Sequence, residues 1–186
     1  MIVPSRFRAT IDDLYKVEGK AELVAGKVVP CMSTGRRPGR IGGRIYLQLM
    51  LFVGRTGRGE PFPDNVGYAL PAPLANGRES FSPDVSYYDG PDSSDDMRFI
   101  DGAPTFAVEV RSENDYGPAA ERDMAAKRAD YFEAGTLVVW DVDAVAETIA
   151  CYRDAAGAPT IFVRGDVADA EPAVPGWRLS VAELFA

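Results

Sequence analysis

The sequence predicts a mixed α/β or α+β fold in a single domain spanning residues 1–186. Apolar residues alternate with a period of two in several short segments, and they recur at helical spacing in longer ones. Strand and helix patterns are interleaved along the chain, which favours a sheet packed against helices. With 46% hydrophobic and 26% charged residues, the chain is apolar enough to bury a core and to fold as a globular protein.

The N-terminal third is predicted to form a helix, a hairpin and a second helix. Thr10 is an N-cap candidate with acidic residues in the turn that follows. Residues 22–29 show two short strand patterns around an Ala25-Gly26 turn, which is typical of a hairpin. Apolar residues at helical spacing predict a helix over residues 40–53, preceded by a basic loop at residues 35–39.

The remaining elements are mostly strands. Short apolar or alternating segments predict strands at residues 66–70, 84–88, 106–111, 136–142, 147–152 and 160–163. A helix is expected to begin at Pro118, because proline suits a first helical turn, and to end at Gly135. Residues 54–64 and 71–78 are expected to be loops. A last extended segment contains Trp177, and a capping-box pattern predicts a short terminal helix from residue 180.

Composition excludes several kinds of catalytic site. The chain has no histidine, which removes Ser-His-Asp and Cys-His catalysis and HExxH zinc chemistry. Cys31 and Cys151 are the only cysteines and have no CxxC spacing, which argues against a zinc site or a disulfide framework. The chain has no run of about 18 apolar residues, and its N-terminus lacks the apolar segment of a signal peptide. A cytoplasmic location is therefore expected.

Charge is distributed unevenly along the chain. The net charge is −8, yet residues 27–58 carry seven basic residues and no acid. Two interpretations remain open: a basic face on an acidic body, or a solvated loop joined to the polar side of a helix. Residues 90–101 contain four aspartates without the spacing or central glycine of an EF-hand. This acidic segment is interpreted as a solvated surface loop.

Two carboxylates lie in apolar, strand-like segments. Asp84 opens one such segment, and Glu109 lies within residues 106–111, where alternation places it on the same face as Ala107 and Arg111. Two carboxylates brought to 4 Å would repel by roughly 4 kcal/mol at an effective dielectric constant near 20. A cation, a basic partner or a retained proton must offset that repulsion. Our central hypothesis is a bound metal ion.

Lys127 lies on a helix face that is otherwise small or apolar. Ala120, Met124, Lys127 and Tyr131 recur at helical spacing, so Lys127 is expected to point inward. The alternative is a snorkelling lysine, whose stem covers the core while its ammonium stays in water.

Several segments together resemble the Uma family, bacterial proteins described as putative restriction endonucleases. The resemblance covers nearly the whole chain and depends on order and spacing more than on any single motif. The matching segments are ELVAGK at 22–27, SPDV at 82–85, FAVEV at 106–110, Lys127 with Tyr131, AG at 134–135, VWDVD at 139–143, PGW at 175–177 and VAELF at 181–185.

The resemblance implies a fold similar to that of the PD-(D/E)XK nucleases, a restriction endonuclease-like domain with a central mixed sheet, flanking helices and a magnesium-type site at one sheet edge. Asp84 and Glu109 would bind Mg²⁺ or Mn²⁺, together with the Val110 carbonyl. Glu22 would be an additional acid of the site. Lys127 would take the role of the signature lysine and would orient a metal-activated water or stabilise developing negative charge.

The implied activity is metal-dependent hydrolysis of DNA phosphodiester bonds by an endonuclease. Arg36, Arg37, Arg40 and Arg44 would follow the phosphate backbone, and Arg111 would clamp a phosphate. A homodimer is a further expectation, because a small nuclease must address two strands.

A different interpretation keeps the nuclease fold but weakens or removes catalysis, leaving a binding or assembly module. Arg111 occupies the position two residues after Glu109, where it would pair with Glu109 or Glu113 and fill the place of the metal. Relatives often carry a histidine near residues 38–40, and this chain has none. A third interpretation, a glycosidase carboxylate pair, lacks the flanking aromatic residues of a sugar platform.

Overall fold

The computed structural model describes residues 8–91 and 97–186. Three aspartates of the predicted acidic loop (Asp92, Asp95 and Asp96) lie outside the described residues, as does the N-terminal segment that was compared with a signal peptide. Within the described ranges, no helix is long and apolar enough to cross a membrane.

Residues 8–91 and 97–186 contain four helices, two of them a single turn long. They are α1 (Ile11–Leu14), α2 (Arg36–Thr56), α3 (Pro118–Glu133) and α4 (Val181–Leu184). Thr10 caps α1 in a capping box with Asp13, as predicted. Pro118 opens α3, and Gly135, which follows it, has a positive φ of 102° that favours glycine.

In the part of the chain that the structure describes, the strands form one large sheet and three small ones. They are β1 (Ala21–Val24), β2 (Lys27–Pro30), β3 (Glu60–Phe62), β4 (Tyr68–Ala69), β5 (Ser80–Phe81), β6 (Val85–Tyr88), β7 (Ile100–Asp101), β8 (Phe106–Val110), β9 (Val138–Asp143), β10 (Thr148–Tyr152), β11 (Thr160–Phe162), β12 (Val167–Asp169) and β13 (Arg178–Ser180). The large sheet has the order β11-β10-β9-β8-β6-β3. Only β8 and β9 pair in parallel within it, so the sheet is mixed.

Each face of the large sheet buries its own core. Phe106, Val108 and Val110 pack with α2, α4 and the two tryptophans on one face. Ala107 and Val139 pack on the other face with Tyr131 of α3 and the small sheet that contains β4 and β5. The alternation of β8 therefore directs Glu109 to the face covered by α3.

The structure differs from the predicted pattern at α2 and β3, and it also has three short strands that were not predicted, β5, β7 and β12. α2 begins at Arg36, so the expected basic loop at residues 35–39 is largely the first helical turn. The apolar repeat starts only at Ile41, and Pro38 is tolerated because first-turn amides have no partner within the helix. β3 lies within the expected loop at residues 54–64. It is an edge strand of the large sheet, where the missing N–H of Pro61 removes few hydrogen bonds between strands.

Candidate active site

Asp84 is fixed at the point where β6 begins beside β8. Its backbone N–H donates to the Val108 carbonyl at 3.1 Å, and its Oδ2 accepts from the Val110 N–H at 2.8 Å. These two bonds hold the carboxylate against the end of β8, and its other oxygen, Oδ1, is contacted by Lys20. Asp84, Glu109 and Val110 all line one cleft of about 370 Å³, so the structure brings the three predicted metal-binding residues together.

Glu109 is held by two side chains of α3. Lys127 Nζ lies 2.9 Å from Glu109 Oε1, and the Tyr131 hydroxyl donates to the same oxygen at 2.6 Å. Lys127 and Tyr131 are four residues apart and therefore share one helix face. Burial raises the pKa of Glu109, Lys127 opposes that shift, and the nearby Asp84 carboxylate adds to it. Glu109 thus lies where a second cation would favour its ionised form.

Glu22 lies deeper, on β1, and both of its carboxylate oxygens have partners. Oε1 is 3.0 Å from Lys127 Nζ and accepts from the Ser82 N–H at 3.0 Å, while Oε2 is 2.6 Å from the Arg78 guanidinium. Arg78 in turn contacts Asp130 at 2.7 Å. Burial alone would raise the pKa of Glu22, but Lys127 and Arg78 outweigh it and lower this pKa to about 2.

Lys127 therefore bridges two carboxylates, Glu109 and Glu22. Burial acts to lower the pKa of its ammonium, but the two acids raise that pKa above its ordinary value. Lys127 consequently stays protonated, and it can donate hydrogen bonds or stabilise negative charge but cannot act as a general base. The predicted inward seam of Ala120, Met124, Lys127 and Tyr131 is the less exposed face of α3.

Sequence reasoning missed a second lysine in the cleft. Lys20 Nζ lies 3.0 Å from Asp84 Oδ1 and 2.6 Å from Asp64 Oδ1, and its side chain is 15% exposed. Burial opposes its charge, yet Asp84 and Asp64 raise the pKa of Lys20 above the ordinary lysine value. One signal was available: Lys20 precedes Glu22 by two residues, so strand alternation places both on one side of the hairpin.

The ion pairs around Asp84 and Glu109 form two networks, and each network carries a formal charge of −1. In one network, Lys20 pairs with Asp64 and Asp84. In the other, the cations of Lys127 and Arg78 pair with three acids, Glu22, Glu109 and Asp130. Within residues 8–91 and 97–186, no three acidic, cysteine or histidine side chains are grouped as a complete metal cage. Mg²⁺ needs only one or two carboxylates because it retains several waters, so Asp84 and Glu109 fit such an ion.

Arg111 lies on a neighbouring charge cluster. Its guanidinium contacts Asp141 through two bonds of 2.8 Å and also pairs with Glu121, whereas the non-catalytic interpretation would pair it with Glu109 or Glu113. Asp141 is buried and accepts a further bond of 3.0 Å from Arg128. Neither Asp141 nor Arg128 was identified from the sequence, because only the fold brings them next to Arg111.

The predicted basic residues of α2 divide into two groups. Arg36 and Arg40 are exposed, and Pro38 and Gly39 between them line a second cleft of about 150 Å³ that adjoins Asp84. Arg37 pairs with Glu147 at 2.6 Å, and Arg44 donates to the carbonyl oxygen of Leu184 at 2.8 Å, at the end of α4. Arg37 and Arg44 thus have structural partners, and the first turns of α2 flank the candidate site.

Comparisons with known proteins agree on a nuclease-like fold. The family model described as "Uma2: Putative restriction endonuclease" matches residues 9–182. A crystal structure from Anabaena variabilis, described as a putative nuclease belonging to DUF820, superposes with a TM-score of 0.71 at 17% identity, covering 95% of this chain and 97% of that chain. At that identity the likeness concerns the fold alone. No curated protein matches the sequence significantly.

Proposed function

This chain belongs to the Uma2 family of proteins described as putative restriction endonucleases, and we propose that it is a metal-dependent endonuclease hydrolysing DNA phosphodiester bonds. The observation that carries the proposal is the cleft at the start of β6, which Asp84 and Glu109 both line. Each of these acids belongs to an ion-pair network that has one negative charge in excess, so a divalent cation bound by both would balance the two networks.

Asp84, Glu109 and the Val110 carbonyl would hold Mg²⁺ or Mn²⁺, which supplies a water of lowered pKa and polarises the scissile phosphate. Asp84 is preorganised for this role by its hydrogen bond from the Val110 N–H. Glu109 is held in place by the Tyr131 hydroxyl, which donates to one of its oxygens.

Lys127 would act on the phosphate side of the reaction. Its ammonium stays charged beside Glu109 and Glu22, so it can orient the attacking water or stabilise charge that develops on the phosphate oxygens. Glu22 keeps Lys127 in place from the buried side. Arg36 and Arg40 are exposed in the first turns of α2, the helix whose Pro38 and Gly39 line the adjoining cleft, and they would neutralise backbone phosphates of DNA.

The test is calorimetric titration of Mn²⁺ into the wild-type protein and Asp84→Asn. We expect saturable binding in the wild type and at least a tenfold loss in the variant, roughly the cost of one charged ligand. Asp154→Asn is the matched control, because Asp154 is an exposed turn residue outside both clefts. Plasmid nicking with Mg²⁺ or Mn²⁺, and its loss with a chelator, then tests hydrolysis. Equal Mn²⁺ binding in all three proteins would contradict the proposed site.

A further inference from the structure

Lys20 contacts Oδ1 of Asp84 in the cleft that both residues line. The other carboxylate oxygen, Oδ2, accepts the Val110 N–H at 2.8 Å, whereas Oδ1 is 3.0 Å from Lys20 Nζ. A divalent ion that binds Asp84 through Oδ1 therefore meets the ammonium of Lys20 at that oxygen. An ammonium and a metal ion at one carboxylate oxygen repel each other, so the two cations compete.

The structure also provides a second carboxylate for the displaced ammonium. Asp64 Oδ1 lies 2.6 Å from Lys20 Nζ, closer than Asp84, and the Asp64 side chain is half exposed. Asp64 Oδ1 accepts the Asn65 N–H at 2.7 Å, which fixes the carboxylate within its own turn. Lys20 can thus release Asp84 while it keeps one ion pair, without moving out of the cleft.

We infer that Lys20 is a positioning residue of this site, an internal cation that competes with the divalent ion for Asp84 and is retained by Asp64 when the ion binds. The inference rests on the proposed metal site and adds a residue and a role to it. As a consequence of this competition, the protein binds the divalent ion more weakly than its carboxylates would without Lys20. Asp64 raises that affinity by drawing Lys20 away from Asp84.

The experiment is calorimetric titration of Mn²⁺ into the wild type, Lys20→Met and Lys16→Met. Lys20→Met is expected to bind Mn²⁺ about tenfold more tightly or more, because a competing cation is removed from a ligand. Lys16→Met is the control: its side chain is 73% exposed and pairs with Asp13 on α1. The control is expected to stay within about twofold of the wild type. Unchanged or weaker binding by Lys20→Met would overturn the inference, since a merely structural lysine would not restrain affinity.

A double-mutant cycle tests the part of Asp64. Asp64→Asn is expected to weaken Mn²⁺ binding in the wild-type background and to have a smaller effect in the Lys20→Met background, because Lys20 is then absent. Equal effects in the two backgrounds would show that Asp64 acts through its own charge and would overturn its role as the acceptor of Lys20.

The same data separate this inference from the proposed function. If the wild type binds Mn²⁺ and Lys20→Met binds it with the same affinity, the metal site stands but Lys20 has no role in it. If Lys20→Met binds Mn²⁺ and the wild type does not, the result supports competition between Lys20 and the ion for Asp84. No binding by either protein would overturn the metal site and the inference together.

Thermal melting in chelator provides a second readout. Lys20→Met should melt below the wild type, because Asp84 loses its cation, and Mn²⁺ should raise its melting temperature more than that of the wild type. A smaller Mn²⁺ effect in the variant would contradict the inference.

Discussion

Glu22→Gln should destabilise the protein at neutral pH and leave it almost unchanged in acid. The Glu22 side chain is 6% exposed, and it contacts the cations of Lys127 and Arg78 at 3.0 and 2.6 Å. Glutamine preserves the size of the side chain and can still accept the Ser82 N–H, but it removes the charge. The substitution therefore isolates the ionic contribution of Glu22 from its packing.

The magnitude follows from the pKa of Glu22. In the folded protein that pKa is lowered from 4.5 to about 2, although burial acts in the opposite direction. Each unit corresponds to about 1.4 kcal/mol, so the charge of Glu22 contributes about 3 kcal/mol to the free energy of unfolding. Because the folded-state pKa is the lower one, this contribution is present above pH 4.5 and is lost as the pH falls toward about 2.

Urea unfolding followed by tryptophan fluorescence measures this difference, since Trp140 and Trp177 are both buried. The wild type should exceed Glu22→Gln by about 3 kcal/mol at pH 7, and the gap should shrink between pH 4.5 and 2. Glu18→Gln, at an exposed position, should show no such pH-dependent gap. A gap that stays constant from pH 7 to the acid limit would refute the reasoning, because packing and not charge would then explain it.

Two further predictions concern the neighbours of this site. Tyr131→Phe removes a buried hydroxyl that donates to Glu109, and it should lower the free energy of unfolding by about 1.5 to 3 kcal/mol in the same assay. A loss below about 0.5 kcal/mol would contradict that hydrogen bond. Asp141→Leu leaves Arg111 and Arg128 without their buried carboxylate and should cost about 3 to 5 kcal/mol. If Asp141→Leu leaves the free energy of unfolding unchanged, the prediction is wrong and the two guanidinium groups find other partners.

Residues that follow a local period could be placed from the sequence. The period of two in β8 placed Glu109 on a defined face, and helical spacing placed Lys127 and Tyr131 together on α3. The hairpin of β1 and β2 was predicted because its turn is local, and Gly26 within it has a positive φ of 69°. Each of these features depends on contacts within a few residues, which periodicity and turn chemistry report directly.

Residues that depend on distant partners could not be placed in this way. Lys20 pairs with Asp84 across 64 positions, and Arg78 pairs with Glu22 across 56 and with Asp130 across 52. Arg78 also lies in a segment that was predicted only as a loop. No local pattern encodes such pairs, because the sheet and α3 determine which charges meet. The sequence therefore indicated three acids of the site, Glu22, Asp84 and Glu109, and one of its cations, Lys127, but not Asp64, Asp130 or the charge balance among them.

The balance of charges around Arg111 argues against the alternative of a non-catalytic module, in which Arg111 fills the place of the metal. In the parallel β8–β9 ladder, Glu109 lies opposite Asp141, so both carboxylates project from the same face of the sheet. The Asp141 cluster is neutral, because two acids (Asp141 and Glu121) face two arginines (Arg111 and Arg128).

Moving Arg111 to Glu109 would leave the buried Asp141 with one cation fewer, a change that costs several kcal/mol for a charge so deeply buried. Arg111 is thus held by its own cluster, while the networks of Asp84 and of Glu109 each keep one negative charge in excess. An added divalent cation is expected to bind between these two acids, with Lys20 as its competitor, so the metal titrations test the site that the nuclease requires and that the binding module lacks.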